Sequence, residues 1–276
     1  MDPETVPEWL TVRQGTAPLL LCMPHTGTHI PAELESRFRS PWLARRDTDW
    51  YVDRLYEFAG RLNATLVRTS ISRSVIDANR DPSGASLYPG QATTELCPTT
   101  TFDGETLYRD GALPDEGDIG ARRLRYFAPY HEAIGGQIAR LRRRHARIVL
   151  YDCHSIRSQI PRLFSGELPH FNIGTFSGAS CDAALSSAIA AQCAVEGYSH
   201  VVNGRFKGGY TTRHYGRPAE GVHAVQMELA CRGYLCEPAG EVHADNWPPP
   251  WDEELAAPLA TILRRVLAAS LRFAAS

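Results

Sequence analysis

LLLCMPHTGTHIP occupies residues 19–31. Leu19 to Met23 is an unbroken apolar run, short enough for a strand and apolar enough to be buried on both faces. Pro24 stops the run, and His25-Thr26-Gly27 follows in a turn setting. A second strong strand, Ile148-Val149-Leu150-Tyr151-Asp152, runs into Cys153-His154-Ser155 in the same manner. Ligands of open α/β sheets gather at the carboxyl ends of the strands. If these two strands are parallel neighbours, His25 and His154 stand just past them at one edge.

The rest of the chain alternates strand and helix patterns around this pair. Thr48 to Leu62 reads as a helix, with Thr48 as cap and acidic residues in its first turns. Thr65 to Arg68 and Ser74 to Asp77 read as short strands. Residues 79–118 are rich in Asn, Asp, Pro, Gly and Thr and lack periodicity, so they read as a long functional excursion. Leu124, Phe127, His131, Ile134, Ile138, Leu141 and His145 recur at helical steps. Cys181 to Glu196 reads as a small-residue helix, Val222 to Leu229 as a strand, and Leu255 to Leu271 as an amphipathic helix. The expectation is one three-layer α/β/α domain over residues 1–276, with a mixed, mainly parallel sheet.

Composition narrows the function classes. A chain of 276 residues with a 43% apolar fraction can bury a substantial core. The net charge of −2 gives no electrostatic reason to expect a nucleic-acid partner. No apolar stretch reaches the length of a membrane span, and MDPETVPEWL lacks the regions of a signal peptide. Seven scattered cysteines, without a CxxC pair, fit reduced thiols and a cytoplasmic setting. The basic run Arg140 to Arg147 suits a solvated helix end. The glycines match neither a dinucleotide fingerprint nor a P-loop, and His131-Glu132 lacks the second histidine of an HExxH helix.

The chemistry concentrates in histidines, carboxylates and arginines. Singly, His25 and His154 would read as hydrogen-bonded core histidines; at matched strand ends they read as zinc ligands. A catalytic zinc takes three protein ligands, and DTDWYVD offers Asp47, Asp49 and Asp53 for the third. Glu228 interrupts the apolar strand VQMEL. A buried carboxylate there needs a partner, either an arginine or the role of general base for an activated water. Arg73 and Asn79-Arg80 flank a strand candidate, and Lys207, Arg213 and Arg217 lie in a glycine-rich loop. Guanidinium groups bind carboxylates through two parallel bonds, so several together suit a small dicarboxylate. Arg217 reads as a surface charge.

PHTGTHIP, DTDWYVDRLY, SRSVIDANRDPSG, TTELCPTTTFDG, YDCHSI, FNIGTFSGASCD and FKGGYTTRHYGRPAEGVHAVQMEL, in this order, resemble the N-formylglutamate amidohydrolases, the N-formylglutamate deformylases. The resemblance runs from about Leu19 to Tyr234. It implies zinc-dependent hydrolysis of N-formyl-L-glutamate to glutamate and formate, the last step of one histidine-degradation route. That family is distantly similar to the zinc carboxypeptidases and aspartoacylases. The similarity implies a fold of that type, with His25 and His154 as metal ligands and Glu228 as base. It makes Asn79 and Arg80 holders of a substrate carboxylate. The carboxypeptidase carboxylate ligand follows the first histidine by three residues, where this chain has Thr28, so the third ligand must come from elsewhere. Asp49 is the expected ligand and Asp53 the alternative. The same reading makes Zn2+, or another divalent metal, the cofactor. Arg213 is a candidate oxyanion stabiliser, and Arg73, Arg80 and Arg213 are candidate anchors for the two carboxylates of a small-molecule substrate.

Three rivals remain at this stage. The same machinery could serve a different N-acyl amino acid. A non-catalytic binder of an acidic metabolite is disfavoured by Glu228, a carboxylate beside an anion site. A cysteine hydrolase built on Cys153 is disfavoured because neighbouring strand residues face opposite ways.

Overall fold

The computed structural model describes residues 6–86, 90 and 93–276. Its strands are β1 (Leu10–Arg13), β2 (Leu19–Met23), β3 (Thr65–Thr69), β4 (Ile148–Ile156), β5 (Phe171–Gly174), β6 (His200–Val202) and β7 (Val222–Ala230). They form one sheet in the order β1-β3-β2-β4-β7-β5-β6. The central pairs β3/β2, β2/β4 and β4/β7 are parallel, as is β5/β6; β1/β3 and β5/β7 are antiparallel. The fold is therefore α/β with a mixed, mainly parallel sheet, as the alternating pattern predicts.

The apolar runs are buried because the sheet is covered on both faces. Leu19, Leu21, Met23, Val149, Tyr151, Cys153, Val225, Met227 and Leu229 point to one side. They pack there against α2 (Val52–Leu55), α5 (Ala183–Cys193) and α7 (Glu253–Ala275). Leu20, Cys22, Ile148, Leu150 and Ala224 point to the other, against α4 (Ala128–Arg142). The period-two alternation of a strand makes this division. Each fully buried leucine contributes roughly 1.5–3 kcal/mol, so the three inner strands anchor the edge that carries the site.

Four local expectations need correction. β4 does not end at Asp152: β7 pairs with it from Ile148↔Val222 to Ile156↔Ala230, so His154 lies inside a strand rather than beyond it. The expected helix over 48–62 is broken. Tyr51 adopts a left-handed backbone (φ 59°), only Val52–Leu55 is α-helical, and a 3-10 segment covers Glu57–Leu62. Asp49 thus precedes the helix, with its backbone N–H donating to the His25 carbonyl. Ser74 to Asp77 is a turn, with the Val75 N–H bonded back to the Ser72 carbonyl. The helix expected from Leu124 starts earlier, as α3 (Glu116–Arg122), under a capping box between Asp115 and Asp118. A π turn over Arg123–Phe127 then leads into α4. Pro129 in the first turn of α4 has no N–H to give. The change of register turns Leu124 out to 70% exposure.

The excursion over 79–118 carries no helix or strand among its described residues before α3. It is held by side chains instead. The buried Arg46 pairs with Asp103 and Glu105, Arg157 pairs with Asp103, and the Phe102 N–H donates to Asp47. No disulfide occurs among the described residues, and six of the seven thiols are buried. No described helix is long and apolar enough to cross a membrane.

Candidate active site

Three donor atoms converge at the carboxyl ends of β2 and β4. His25 follows β2, Asp49 comes from the turn before α2 (Val52–Leu55), and His154 faces inward from β4. His25 Nδ1 lies 3.1 Å from His154 Nδ1, His154 Nδ1 lies 3.1 Å from Asp49 Oδ2, and His25 Nδ1 lies 3.7 Å from Asp49 Oδ2. All three residues are buried. A tetrahedral ion with bonds of about 2.0–2.1 Å spaces its ligands by roughly 3.3–3.4 Å, so the triangle has the size a metal ion requires.

The far nitrogens of both imidazoles face carboxylates. His25 Nε2 sits 2.6 Å from Asp77 Oδ1, and His154 Nε2 sits 3.0 Å from Asp152 Oδ2. With Nε2–H turned toward these carboxylates, each Nδ1 lone pair faces the centre, the arrangement that orients histidine ligands; the Asn79 amide nitrogen also lies 3.1 Å from His154 Nε2. Asp49, Asp77 and Asp152 are fully buried in this cluster. The buried cation beside them is Arg73, bonded to Asp77 Oδ2 at 2.8 Å and Asp49 Oδ1 at 3.3 Å, with the partly exposed Arg80 3.7 Å from Asp77. Buried charge needs compensation, and a divalent cation among the three inward donors would supply it. The residues fit a metal.

The electrostatics agree. Burial acts to raise the Asp49 carboxyl, but the His25 and His154 imidazoles outweigh it and hold Asp49 below the usual range. Burial acts to lower His154, but Asp152 and Asp49 outweigh it and push the imidazole well above its usual value. A cation at the centre would take the place of that added proton.

Glu228 is the Cα partner of His154 across the β4/β7 pair. It lines the same cavity as His25 and His154. Burial pushes its carboxyl up to about 7, and Gln226 Nε2 donates to its Oε2 at 3.0 Å. Gln226 is itself held by the Gly209 N–H at 2.7 Å. Only glycine permits that approach, since a Cβ at position 209 would lie 2.3 Å from the Asn79 amide nitrogen.

The other predicted residues fall out differently. Arg80 lines the cavity, with Nε and one terminal nitrogen on Thr94. Asn79 also lines it, but its amide is engaged: Oδ1 accepts from the Thr211 N–H and Nδ2 donates to Asp152. Arg73 is bound to two carboxylates and covered by the Phe102 ring at 4.7 Å. Arg213, expected at the reacting carbonyl, is not among the residues lining this cavity; its Nε donates to the Gly208 carbonyl and its guanidinium lies over Phe176. Asp53 pairs with Arg68, away from the histidines. Cys153 is buried on the opposite face, where burial raises its thiol well above the usual value.

Asp77, Asp152, Gln226, Phe102 and Arg205 are additions. Asp77 and Asp152 were open to the reasoning that singled out Glu228, a lone carboxylate in an apolar run. Arg205 and Phe102 carry no such signal.

The chain matches the model of the family described as N-formylglutamate amidohydrolase over residues 17–235. The chain belongs to the N-formylglutamate amidohydrolase family. It is 48% identical over 237 residues to the N-formylglutamate deformylase of Pseudomonas aeruginosa, covering 84% of this chain and 87% of the relative. It is 44% identical over 271 residues to that of Pseudomonas putida, covering 96% and 97%. The crystal structure of an N-formylglutamate amidohydrolase from Ralstonia eutropha aligns with a TM-score of 0.72 at 26% identity, over 96% of each chain. As a member of this amidohydrolase family, the chain is an enzyme that hydrolyses a linear amide.

Proposed function

We propose that this enzyme hydrolyses N-formyl-L-glutamate to L-glutamate and formate, with zinc held by His25, Asp49 and His154. The observation that carries the reading is the convergence of two imidazole nitrogens and one carboxylate oxygen in one cavity with Glu228. The relatives' names supply the substrate, N-formylglutamate. Zinc bound there would polarise an amide carbonyl and make a nearby water more acidic.

The protein's own groups do the rest. Glu228, a base with a carboxyl near neutrality, takes a proton from the attacking water. It then returns that proton to the departing amine, so one carboxylate serves both steps. Gln226 fixes its orientation. Asp77 and Asp152 keep the imidazoles turned inward, and Arg73 holds Asp49 and Asp77 in place. Arg80 is the candidate for one substrate carboxylate. Segments from His25 to Glu228 build this one pocket, in keeping with a single amidohydrolase domain whose 79–118 excursion forms a wall. A cytoplasmic role in histidine degradation belongs to the same proposal.

The test is product analysis. Purified enzyme incubated with N-formyl-L-glutamate should release formate and glutamate in equal amounts. Release of acetate from N-acetylglutamate at a higher rate than formate would move the enzyme to another N-acyl amino acid.

A further inference from the structure

A substrate with two carboxylates needs two cationic holds, and the cavity beside Glu228 is lined by three arginines, Arg73, Arg80 and Arg205. Arg73 is committed to Asp49 and Asp77. Arg80 stands one carboxylate away from a metal-binding histidine: it is 3.7 Å from Asp77, which is 2.6 Å from His25. Arg205 is set differently. It precedes the glycine-rich segment that leads into α6 (Tyr210–Tyr215). Its Nε donates to the Leu163 carbonyl at 2.8 Å and its guanidinium lies over the Phe206 ring. Phe206 packs edge-on against Phe164. Neither Leu163 nor Phe206 belongs to the metal cluster.

We propose that Arg205 holds the side-chain carboxylate of the substrate, while Arg80 holds the α-carboxylate. This rests on the reading of N-formylglutamate as substrate. The chemistry of that molecule orders the two anchors. Its α-carboxylate branches one carbon from the amide nitrogen, so it needs the arginine tied to the histidine cluster. Its side-chain carboxylate lies three bonds beyond that carbon and needs an arginine held from outside the cluster, as Arg205 is by Leu163 and Phe206. The bond to Leu163 and the Phe206 face fix the plane of the Arg205 guanidinium, and a fixed plane is what two parallel bonds to a carboxylate demand.

The experiment compares N-formyl-L-glutamate with N-formyl-L-glutamine, which replaces the side-chain carboxylate by an amide. Wild-type enzyme should prefer the acid by roughly 100-fold in kcat/KM, the scale of two charge-assisted bonds. Arg205→Gln should lower kcat/KM for the acid by about that factor, through KM, and lower the amide far less, so the preference falls to a few-fold at most. Arg205→Lys, which keeps the charge without the fork, should fall between. If Arg205→Gln keeps the full preference, or if both variants lose the two substrates equally, the assignment is overturned. A wild-type enzyme that cleaves both equally overturns it as well. A wild-type enzyme that cleaves neither refutes the deformylase reading itself, and this assignment with it.

Discussion

Asp77→Asn tests whether the carboxylate behind His25 builds the metal site. Asp77 Oδ1 faces His25 Nε2 at 2.6 Å and accepts the Asn79 N–H at 2.9 Å; Oδ2 faces Arg73 at 2.8 Å. An asparagine can still accept from His25 through its oxygen. Its NH2 group then meets Arg73, donor against donor, and the buried guanidinium keeps Asp49 Oδ1 at 3.3 Å and the Asp47 carbonyl at 3.5 Å. Arg73 should compete harder for the Asp49 carboxylate, the proposed metal ligand. His25 loses the negative charge that strengthens it as a ligand. Changes behind a ligand of this type cost about 10–100-fold in metal affinity, or roughly 1.4–2.8 kcal/mol at about 1.4 kcal/mol per decade. Breaking a buried ion pair costs about 3–5 kcal/mol, here reduced because Asp77 no longer repels Asp49 and Asp152. Zinc titration into metal-free protein by calorimetry reads the first quantity, and denaturant unfolding of the metal-free protein reads the second. A zinc Kd within twofold of wild type would refute the orienting role given to Asp77.

Two further outcomes follow from the same geometry. Glu228→Gln keeps its shape and loses its proton acceptor, so kcat should fall by roughly two orders of magnitude or more while bound metal, read by elemental analysis, is unchanged. His131 is half-buried, with Nε2 on the Ala78 carbonyl and Nδ1 on the Tyr215 hydroxyl, and desolvation of the ring depresses its imidazole to about 4. Below the unfolded value of about 6.5 the unfolded chain binds a proton that the folded chain refuses. Stability should therefore fall by up to about 3 kcal/mol as pH drops from about 6.5 towards 4. Denaturant titrations across that range should show a shallower slope for His131→Gln than for wild type.

The central strands and the two histidines were legible because burial on both faces leaves a continuous apolar run. Leu19–Met23, Ile148 onward and Val222 onward all show it. Glu228 was legible because a carboxylate inside such a run is costly. Asp49 could only be guessed from its neighbours. It is fixed by the left-handed Tyr51 and by a backbone bond to His25, neither of which leaves a periodic trace. The arginines were least legible. Charge alone does not tell whether a guanidinium faces substrate or is consumed by buried carboxylates, as Arg73 is. The excursion hid Phe102 for a related reason. Its position comes from ion pairs between Arg46, Arg157, Asp103 and Glu105, which are distant in sequence.

The central claim is that a metal at His25, Asp49 and His154 is required for deformylation. The direct measurement is formate release from N-formyl-L-glutamate by one preparation in three states: as purified with its metal counted, stripped by chelator, and reloaded with zinc. About one metal per chain is expected, with formate release lost on stripping and restored on reloading. His154→Ala should bind no metal in any state. Full-rate formate release by the stripped enzyme would contradict the account, as would full metal occupancy in His154→Ala.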